Sequence, residues 1–149
     1  MDTSEIYINM CDCEEIQSQW KPKWGDWYYY DDYEDAEDNI VVLEKTHQMI
    51  DWVKEERQFY AKYKHPRWLP RQDQLVEMIG GYQDQLSSLA TLATLVDVSG
   101  KIDVAKHPLL EPAEWRRFES LEQLWLAYVM FRNFGKTWDG ERWRANEPS

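Results

Sequence analysis

The sequence has little of what several common protein classes depend on. It has two cysteines, six glycines and six prolines in 149 residues, and no apolar run approaches the 18 or more residues that cross a bilayer. The amino terminus lacks the basic region and apolar stretch of a secretory signal. We therefore expect a cytoplasmic protein without a membrane partner, in which both cysteines are thiols.

Motifs of catalysis and metal binding are also missing. The chain has no Gly-rich phosphate loop, no Gly-x-Ser-x-Gly and no His-Glu-x-x-His, which are the signatures of large enzyme classes. Cys11 and Cys13 do not have the usual zinc spacing of Cys-x2-Cys, and the three histidines are scattered. A Cys–His nucleophile pair is conceivable, but nothing in the spacing supports one. We predict no catalytic residue, no metal and no cofactor.

Basic residues are nearly absent from the amino-terminal third. Residues 1–44 contain 13 acids and two bases, whereas residues 45–149 contain 15 of each, so the net charge of -11 lies in the first 44 residues. The densest part is the acidic segment, residues 31–38, in which six of eight side chains are carboxylates. Crowded carboxylates repel one another and favour solvated chain. We predict a solvated acidic loop around residues 31–39.

The negative charge of the amino-terminal third limits the classes of partner that it can bind. Phosphate backbones repel such a surface, because nucleic-acid binding relies on Lys and Arg, so we expect no direct nucleic-acid ligand. A basic surface on another protein would attract it, with neighbouring tyrosines supplying contact area. The other interpretation is that the acidic loop only keeps the protein in solution. The predicted partner-binding residues are Asp26, Tyr28, Tyr30, Asp31, Asp32, Tyr33, Glu34, Asp35, Glu37 and Asp38.

Aromatic residues are abundant, with 9 Trp, 9 Tyr and 4 Phe. Arginines lie beside two of the tryptophans, and this combination can stack a base and hold a phosphate. The other interpretation is that these arginines pair with nearby acids and cover the rings with their stems. The alternative nucleotide-binding residues are Arg67, Trp68, Arg71, Trp115 and Arg116.

Local patterns predict elements in the amino-terminal half. Asp12 and Glu15 form a capping box that opens a helix through Gln19. Residues 26–31 and 39–44 are predicted to be the strands of a hairpin that the acidic segment connects.

Helices are predicted further along the chain. A helix over residues 46–63 has an apolar stripe at Met49, Ile50, Val53 and Tyr60, with residues 54–57 facing solvent. Pro66 and Pro70 are expected to bracket a turn, and Pro70 suits the first position of a helix that Gly80 and Gly81 end. Residues 83–96 have a narrow apolar helical face, and residues 97–112 are a predicted connector.

The clearest helix signal is near the carboxyl terminus. Ser120 and Gln123 form a capping box, Gly135 is the expected stop, and the residues between them are apolar on several sides. Such a helix is buried in the core or at a subunit interface, so a second copy of the chain is a candidate partner. Trp138 and Trp143 flank an Asp-Gly turn. These patterns predict one α+β domain over residues 1–149, with a small, mainly antiparallel sheet packed by three or four helices.

Three blocks of sequence also carry a resemblance. They are residues 15–27, residues 68–75, and residues 120–130 followed by 135–143, and together they cover roughly a third of the chain. They resemble small accessory proteins that phages and prophages of Gram-positive bacteria encode. Because that group lacks an assigned activity, the resemblance implies an accessory phage protein of the host cytoplasm and transfers no catalytic residue.

The resemblance and the charge together predict a non-enzymatic function. We expect a phage accessory protein that binds and inhibits a host defence protein, with its acidic, aromatic amino-terminal surface acting as a partial nucleic-acid mimic. One alternative is a sponge that sequesters a nucleotide signal in an aromatic and arginine-lined pocket. Another is a component of the virion or of its assembly.

Overall fold

The computed structural model describes residues 1–30, 39–44, 47–59, 66–81, 83 and 118–145. Contacts divide the chain into two compact units, one made of Met1 with residues 3–71 and the other of Asp2 with residues 72–149. The α-helices in the described ranges are α1 (Glu5–Cys11), α2 (Glu14–Gln17), α3 (His47–Glu56), α4 (Gln72–Glu77) and α5 (Leu121–Phe134). The strands there are β1 (Trp27–Tyr29), β2 (Ile40–Val42), β3 (Arg67–Leu69), β4 (Lys136–Trp138) and β5 (Trp143–Ala145).

The α+β class is confirmed, and the main sheet is small and antiparallel as expected. Its three strands have the order β2-β1-β3, and both pairings are antiparallel. The carboxyl-terminal turn does not join this sheet, because β4 and β5 pair only with each other in the ranges described. That residues 1–149 form one domain stays a prediction.

The predicted hairpin is confirmed. Trp27 lies opposite Val42 and Tyr29 lies opposite Ile40. Beyond the strands the backbone pairing continues, since Tyr30 N donates to Asn39 O at 2.8 Å at one end and Leu43 N donates to Asp26 O at 2.8 Å at the other. Aromatic and β-branched side chains favour such pairing.

The turn predicted between the two prolines at 66 and 70 is wrong, because the residues between them form β3. Trp68 is buried and stacks on Trp20, with ring centroids 6.3 Å apart and planes within 2° of parallel. Leu69 is fully buried. Because proline has no N–H to donate, it is tolerated at the ends of an edge strand, and the packing of these two side chains outweighs the turn signal.

The outer edge of β3 is closed by the side chain of Gln17, which is 1% exposed. Its Nε2 donates to Trp68 O at 2.9 Å, and its Oε1 accepts from Trp68 N at 2.8 Å. Nε2 also donates to Cys11 O at 2.9 Å, and Oε1 accepts from Arg57 Nη1 at 2.9 Å. The carboxamide therefore pairs with β3 as the backbone of a neighbouring strand would, and it links α1, α2 and β3.

The first helices differ from the prediction. α1 was not predicted, although Ser4 Oγ accepts from Tyr7 N at 3.2 Å as an N-cap and the residues at 7, 10 and 11 are buried on one face. The capping box assigned to Asp12 and Glu15 is wrong. Asp12 is the C-cap of α1, while the N-cap of α2 is Cys13, which makes no side-chain capping bond.

The predicted helix over residues 46–63 corresponds to α3 and a 3-10 helix, Arg57–Phe59. Val53 is buried and Met49 and Ile50 are half-buried, which confirms that part of the stripe. Tyr60 and the rest of the predicted helix lie outside the described residues. Arg57 does not face solvent as expected, because its guanidinium bonds Gln17 and lies 5.1 Å from the centre of the Trp20 ring.

The helix predicted after Pro70 is present as α4, but it begins at Gln72, so Pro70 is not its first residue. Tyr7 Oη instead donates to the Pro70 carbonyl at 2.5 Å. Gly80 follows the helix with a φ of 110°, in the region that favours glycine. Except for residue 83, the helix predicted over residues 83–96 and the connector 97–112 lie outside the described residues.

Both predicted ends of α5 are confirmed. Ser120 Oγ accepts from Gln123 N at 3.1 Å, and Gly135 ends the helix in the left-handed region with a φ of 64°. The Gln123 side chain accepts from Glu119 N at 3.1 Å, one residue before the partner that a capping box normally uses. Seven residues of the helix are buried, which agrees with the predicted core position of α5.

The Asp-Gly turn between the two carboxyl-terminal tryptophans is also confirmed as the connection of β4 and β5. Trp138 lies opposite Trp143, with ring centroids 5.1 Å apart at 61°. Asp139 Oδ1 accepts from the backbone N–H groups of Glu141 and Arg142, each at 2.9 Å. These bonds and the Arg144 side chain hold the pKa of Asp139 well below its usual range. Across the part of the chain that the structure describes, none of the helices is long and apolar enough to cross a membrane.

Candidate functional site

Three of the predicted partner-binding residues are buried. Tyr28 is fully buried, Tyr30 is 8% exposed and Asp26 is 2% exposed. These three side chains therefore do not form an exposed surface in this structure, and their assignment to partner binding stays a prediction. Tyr28 lies opposite Val41 on one side and Trp68 on the other, so the third strand covers a side chain that a two-stranded hairpin would leave exposed.

Asp26 is held by a network within its own unit. Its Oδ2 accepts from Trp20 Nε1 at 2.9 Å and from Lys23 N at 2.8 Å. Its Oδ1 lies 3.6 Å from Arg71 Nη1, which also donates to Gly25 O at 2.7 Å. A buried carboxylate requires such partners, because desolvation of an unpaired charge is costly. Asp26 thus orders the chain that enters β1.

The remaining predicted partner-binding residues, Asp31, Asp32, Tyr33, Glu34, Asp35, Glu37 and Asp38, lie outside the described residues. The residues on either side of them are described. Tyr30 and Asn39 are joined by a backbone hydrogen bond of 2.8 Å, and the Tyr30 ring contacts the Trp52 ring edge to face at 5.3 Å. The acidic segment therefore starts and ends at one point of the sheet, which buried aromatic packing holds.

The alternative nucleotide-binding residues do not form one pocket where they can be located. Trp68 is buried against Trp20. Arg67 Nε lies 3.7 Å from Asp12 Oδ2, and its guanidinium lies 5.5 Å from the centre of the Tyr29 ring. Arg71 is engaged with Asp26 and Gly25, as given above. Both described arginines therefore pair with acids, but these acids lie 55 and 45 residues earlier in the chain and are not the nearby acids of the second interpretation. Trp115 and Arg116 lie outside the described residues.

A groove of about 390 Å³ lies between α1 and one face of the main sheet. Its floor is a row of three side chains from adjacent strands, because Tyr29 lies opposite both Ile40 and Arg67. Glu5, Ile8 and Asn9, which share one face of α1, line the wall, together with Thr3 and Asn39. The groove thus adjoins the end of the acidic segment. The groove was not predicted because α1 was not predicted, although Ser4 is a common N-cap residue and apolar residues follow it at helical spacing.

The cysteines are free thiols, Cys11 buried and Cys13 half-buried. Cys13 Sγ donates weakly to Met10 O at 3.8 Å. Among the described residues, no group of three or more His, Cys, Asp or Glu side chains is arranged to hold a metal ion.

Comparisons of the chain with protein-family models, with curated proteins and with solved structures find no match.

Proposed function

We propose that the protein is a binding protein that uses the acidic segment to engage a basic surface on another protein. The single observation that carries this proposal is the backbone bond between Tyr30 and Asn39. It joins the two ends of a segment with six carboxylates in eight residues. Negative charge gathered at one place attracts basic surfaces over a distance and raises association rates.

The residues around this point support binding by keeping the two ends ordered. The buried Tyr28 and Tyr30 rings and the Asp26 network anchor β1, and β2 pairs with it along its length. An ordered base reduces the entropy that a partner must remove on binding. Asp26, Tyr28 and Tyr30 therefore have a positioning role in the proposal, and the contact itself belongs to the acidic segment.

The resemblance to phage-encoded accessory proteins suggests the biological setting. In the full proposal, the chain acts in the host cytoplasm and inhibits a host defence protein by occupying a basic site that normally holds nucleic acid. It needs no cofactor and performs no reaction. The carboxylates stand in for phosphates, which a basic site recognises by charge and by hydrogen bonds to oxygen.

The test compares two variants that lose the same amount of charge. In the amide variant, the six carboxylates of the acidic segment become amides: Asp31→Asn, Asp32→Asn, Glu34→Gln, Asp35→Asn, Glu37→Gln and Asp38→Asn. In the control variant, six exposed acids elsewhere become amides: Asp51→Asn, Glu55→Gln, Asp73→Asn, Glu77→Gln, Glu119→Gln and Glu141→Gln. Both variants therefore have the same net charge.

Each variant is used to capture proteins from infected host cells, and the affinity of the captured partner is measured over a range of salt concentrations. We expect the control variant to keep the partner, with affinity falling as salt rises. The amide variant should lose most of the affinity and most of the salt dependence. Equal affinity in the amide and control variants would show that overall charge, and not the acidic segment, accounts for binding.

A further inference from the structure

The outer edge of β2 has unpaired backbone groups. Residues 39, 41 and 43 face β1, because Asn39 O and both backbone groups of Leu43 bond the chain around β1, and Val41 lies between them in register with Tyr28. Since the backbone groups of a strand alternate in direction, those of Ile40 and Val42 point away from the sheet. β2 is an edge strand, and these groups have no hydrogen-bond partner in the part of the chain described.

The two edges of the sheet differ in whether a side chain bonds their outward backbone groups. The Gln17 carboxamide satisfies both the N–H and the C=O of Trp68 on the β3 edge. At the β2 edge, two donors and two acceptors have no partner among the described residues, and Val42 is also among the exposed large apolar residues. An open edge of this kind accepts an added strand, and proteins normally protect such edges unless they use them.

We propose that the outer edge of β2 binds an extended, basic segment of the partner as an additional antiparallel or parallel strand. The choice of a basic occupant rests on the proposed function and on charge. The acidic segment ends directly before Asn39, and exposed Glu44 lies just after β2. Carboxylates therefore flank β2 on both sides in the sequence, while the only bases in residues 1–44 are Lys21 and Lys23.

The groove beside α1 provides a place for one side chain of that segment. A residue paired with Ile40 extends the row of Ile40, Tyr29 and Arg67, so its side chain lies on the face that borders the groove. Glu5 adds a carboxylate to the groove wall, and the Arg67 charge is paired with Asp12. Backbone pairing supplies affinity in this mode and side-chain pockets supply selectivity. The segment should therefore have a long basic residue opposite Ile40.

The inference is tested with a defined probe, an acetylated and amidated heptapeptide of alternating lysine and valine. Exchange of the backbone amides with water is measured by NMR in the full-length protein. The peptide should slow exchange at Ile40 and Val42 by about tenfold or more, because their N–H groups become bonded, and leave Val41 unchanged. The same peptide with glutamate in place of lysine, and the lysine peptide with every backbone nitrogen N-methylated, should give no protection.

Two proline variants test which backbone N–H groups of β2 point away from the sheet. Val42→Pro removes an outward N–H that the sheet does not use, so the protein should fold and bind the lysine peptide about tenfold more weakly. Val41→Pro removes an inward N–H and should disrupt the pairing with β1. If Val42→Pro fails to fold, the exchange measurement on the unmodified protein still decides the question.

The outcomes separate this inference from the proposed function. Salt-sensitive binding of the lysine peptide without slower exchange at Ile40 and Val42 overturns strand addition and leaves a role for the acidic segment. Protection that is equally strong in the amide variant supports strand addition and contradicts the role proposed for the acidic segment. Absence of protection by the lysine peptide at millimolar concentration overturns the inference.

Discussion

Replacing Gln17 should have a large effect on stability for a polar side chain. In Gln17→Ala, the Trp68 N–H and the Trp68 carbonyl lose the side chain that bonds them at 2.8 and 2.9 Å. The Cys11 carbonyl loses the Nε2 donor at 2.9 Å but keeps the Cys13 N–H at 2.8 Å. A buried polar group without a partner costs about 1–3 kcal/mol, and entry of water reduces this. We expect a loss of about 3–5 kcal/mol in the free energy of unfolding.

The near-isosteric change Gln17→Glu separates hydrogen bonding from packing. The carboxylate keeps an acceptor for Trp68 N and Arg57, but it replaces the Nε2 donor with an oxygen that faces two carbonyl oxygens. We expect it to destabilise the protein at neutral pH, although the Arg57 charge offsets part of the loss. Gln19→Ala is the control, because the exposed Gln19 side chain bonds only Glu15 O, at 2.7 Å, in the described ranges, and its removal should cost no more than about 0.5 kcal/mol.

The assay is urea unfolding followed by tryptophan fluorescence, with Trp20 and Trp68 stacked beside the network. A difference of about 3 kcal/mol between Gln17→Ala and Gln19→Ala moves the midpoint by about 1 M or more. Should the two variants unfold within about 1 kcal/mol of each other, the Gln17 carboxamide does not hold the β3 edge, and the description of the sheet is mistaken.

Three further changes follow from the geometry. Gly135→Ala should lower the free energy of unfolding by about 1 kcal/mol, and Gly135→Asn should lower it by less. The cause is the φ of 64°, which strains an L-residue, since a Cβ there meets nothing within 4 Å. Equal thermal unfolding of the unmodified protein and both variants would contradict this. The lowered pKa of Asp139 stabilises the carboxyl-terminal hairpin above about pH 4, and this stability is lost as the pH falls toward the folded-state pKa. The difference in free energy of unfolding between the unmodified protein and Asp139→Asn, measured at several pH values, should therefore decrease at acid pH. A difference that stays constant would contradict the lowered pKa of Asp139. Asp26→Ala should lower the free energy of unfolding by about 2–4 kcal/mol, because it leaves the Trp20 and Lys23 N–H groups without this acceptor. The control is Trp24→Ala at an exposed position, which should unfold at nearly the same urea concentration as the unmodified protein.

Local signals were sufficient where the stabilising partner is near in sequence. The caps of α5 lie within five residues of the groups they bond, and the two strands of the first hairpin are similarly apolar and aromatic, so both elements were predicted. β3 was missed because its stability comes from Trp20 and Gln17, which lie about 50 residues earlier in the chain. The proline signal is local, whereas this packing is not.

The candidate site was harder to predict for a related reason. Three consecutive tyrosines at residues 28–30 give no polar residue to mark the outward face, and the pairing of β3 on the far side of β1 buries Tyr28. Asp26 was assigned to a surface because it is charged, but its partner Arg71 lies 45 residues later. The acidic segment needs no such contact to be recognised, and its role in partner binding stays a prediction.

The backbone bond between Tyr30 and Asn39 has a consequence for sequence divergence. Because main-chain atoms close that junction, the bond itself does not require particular side chains at the eight positions between these residues. Doubling the length of a flexible connection costs only about 0.6 kcal/mol in closure entropy. The junction can therefore accommodate an inserted stretch of different size or charge, and under the proposed function such an exchange would change the partner while the strands stay the same.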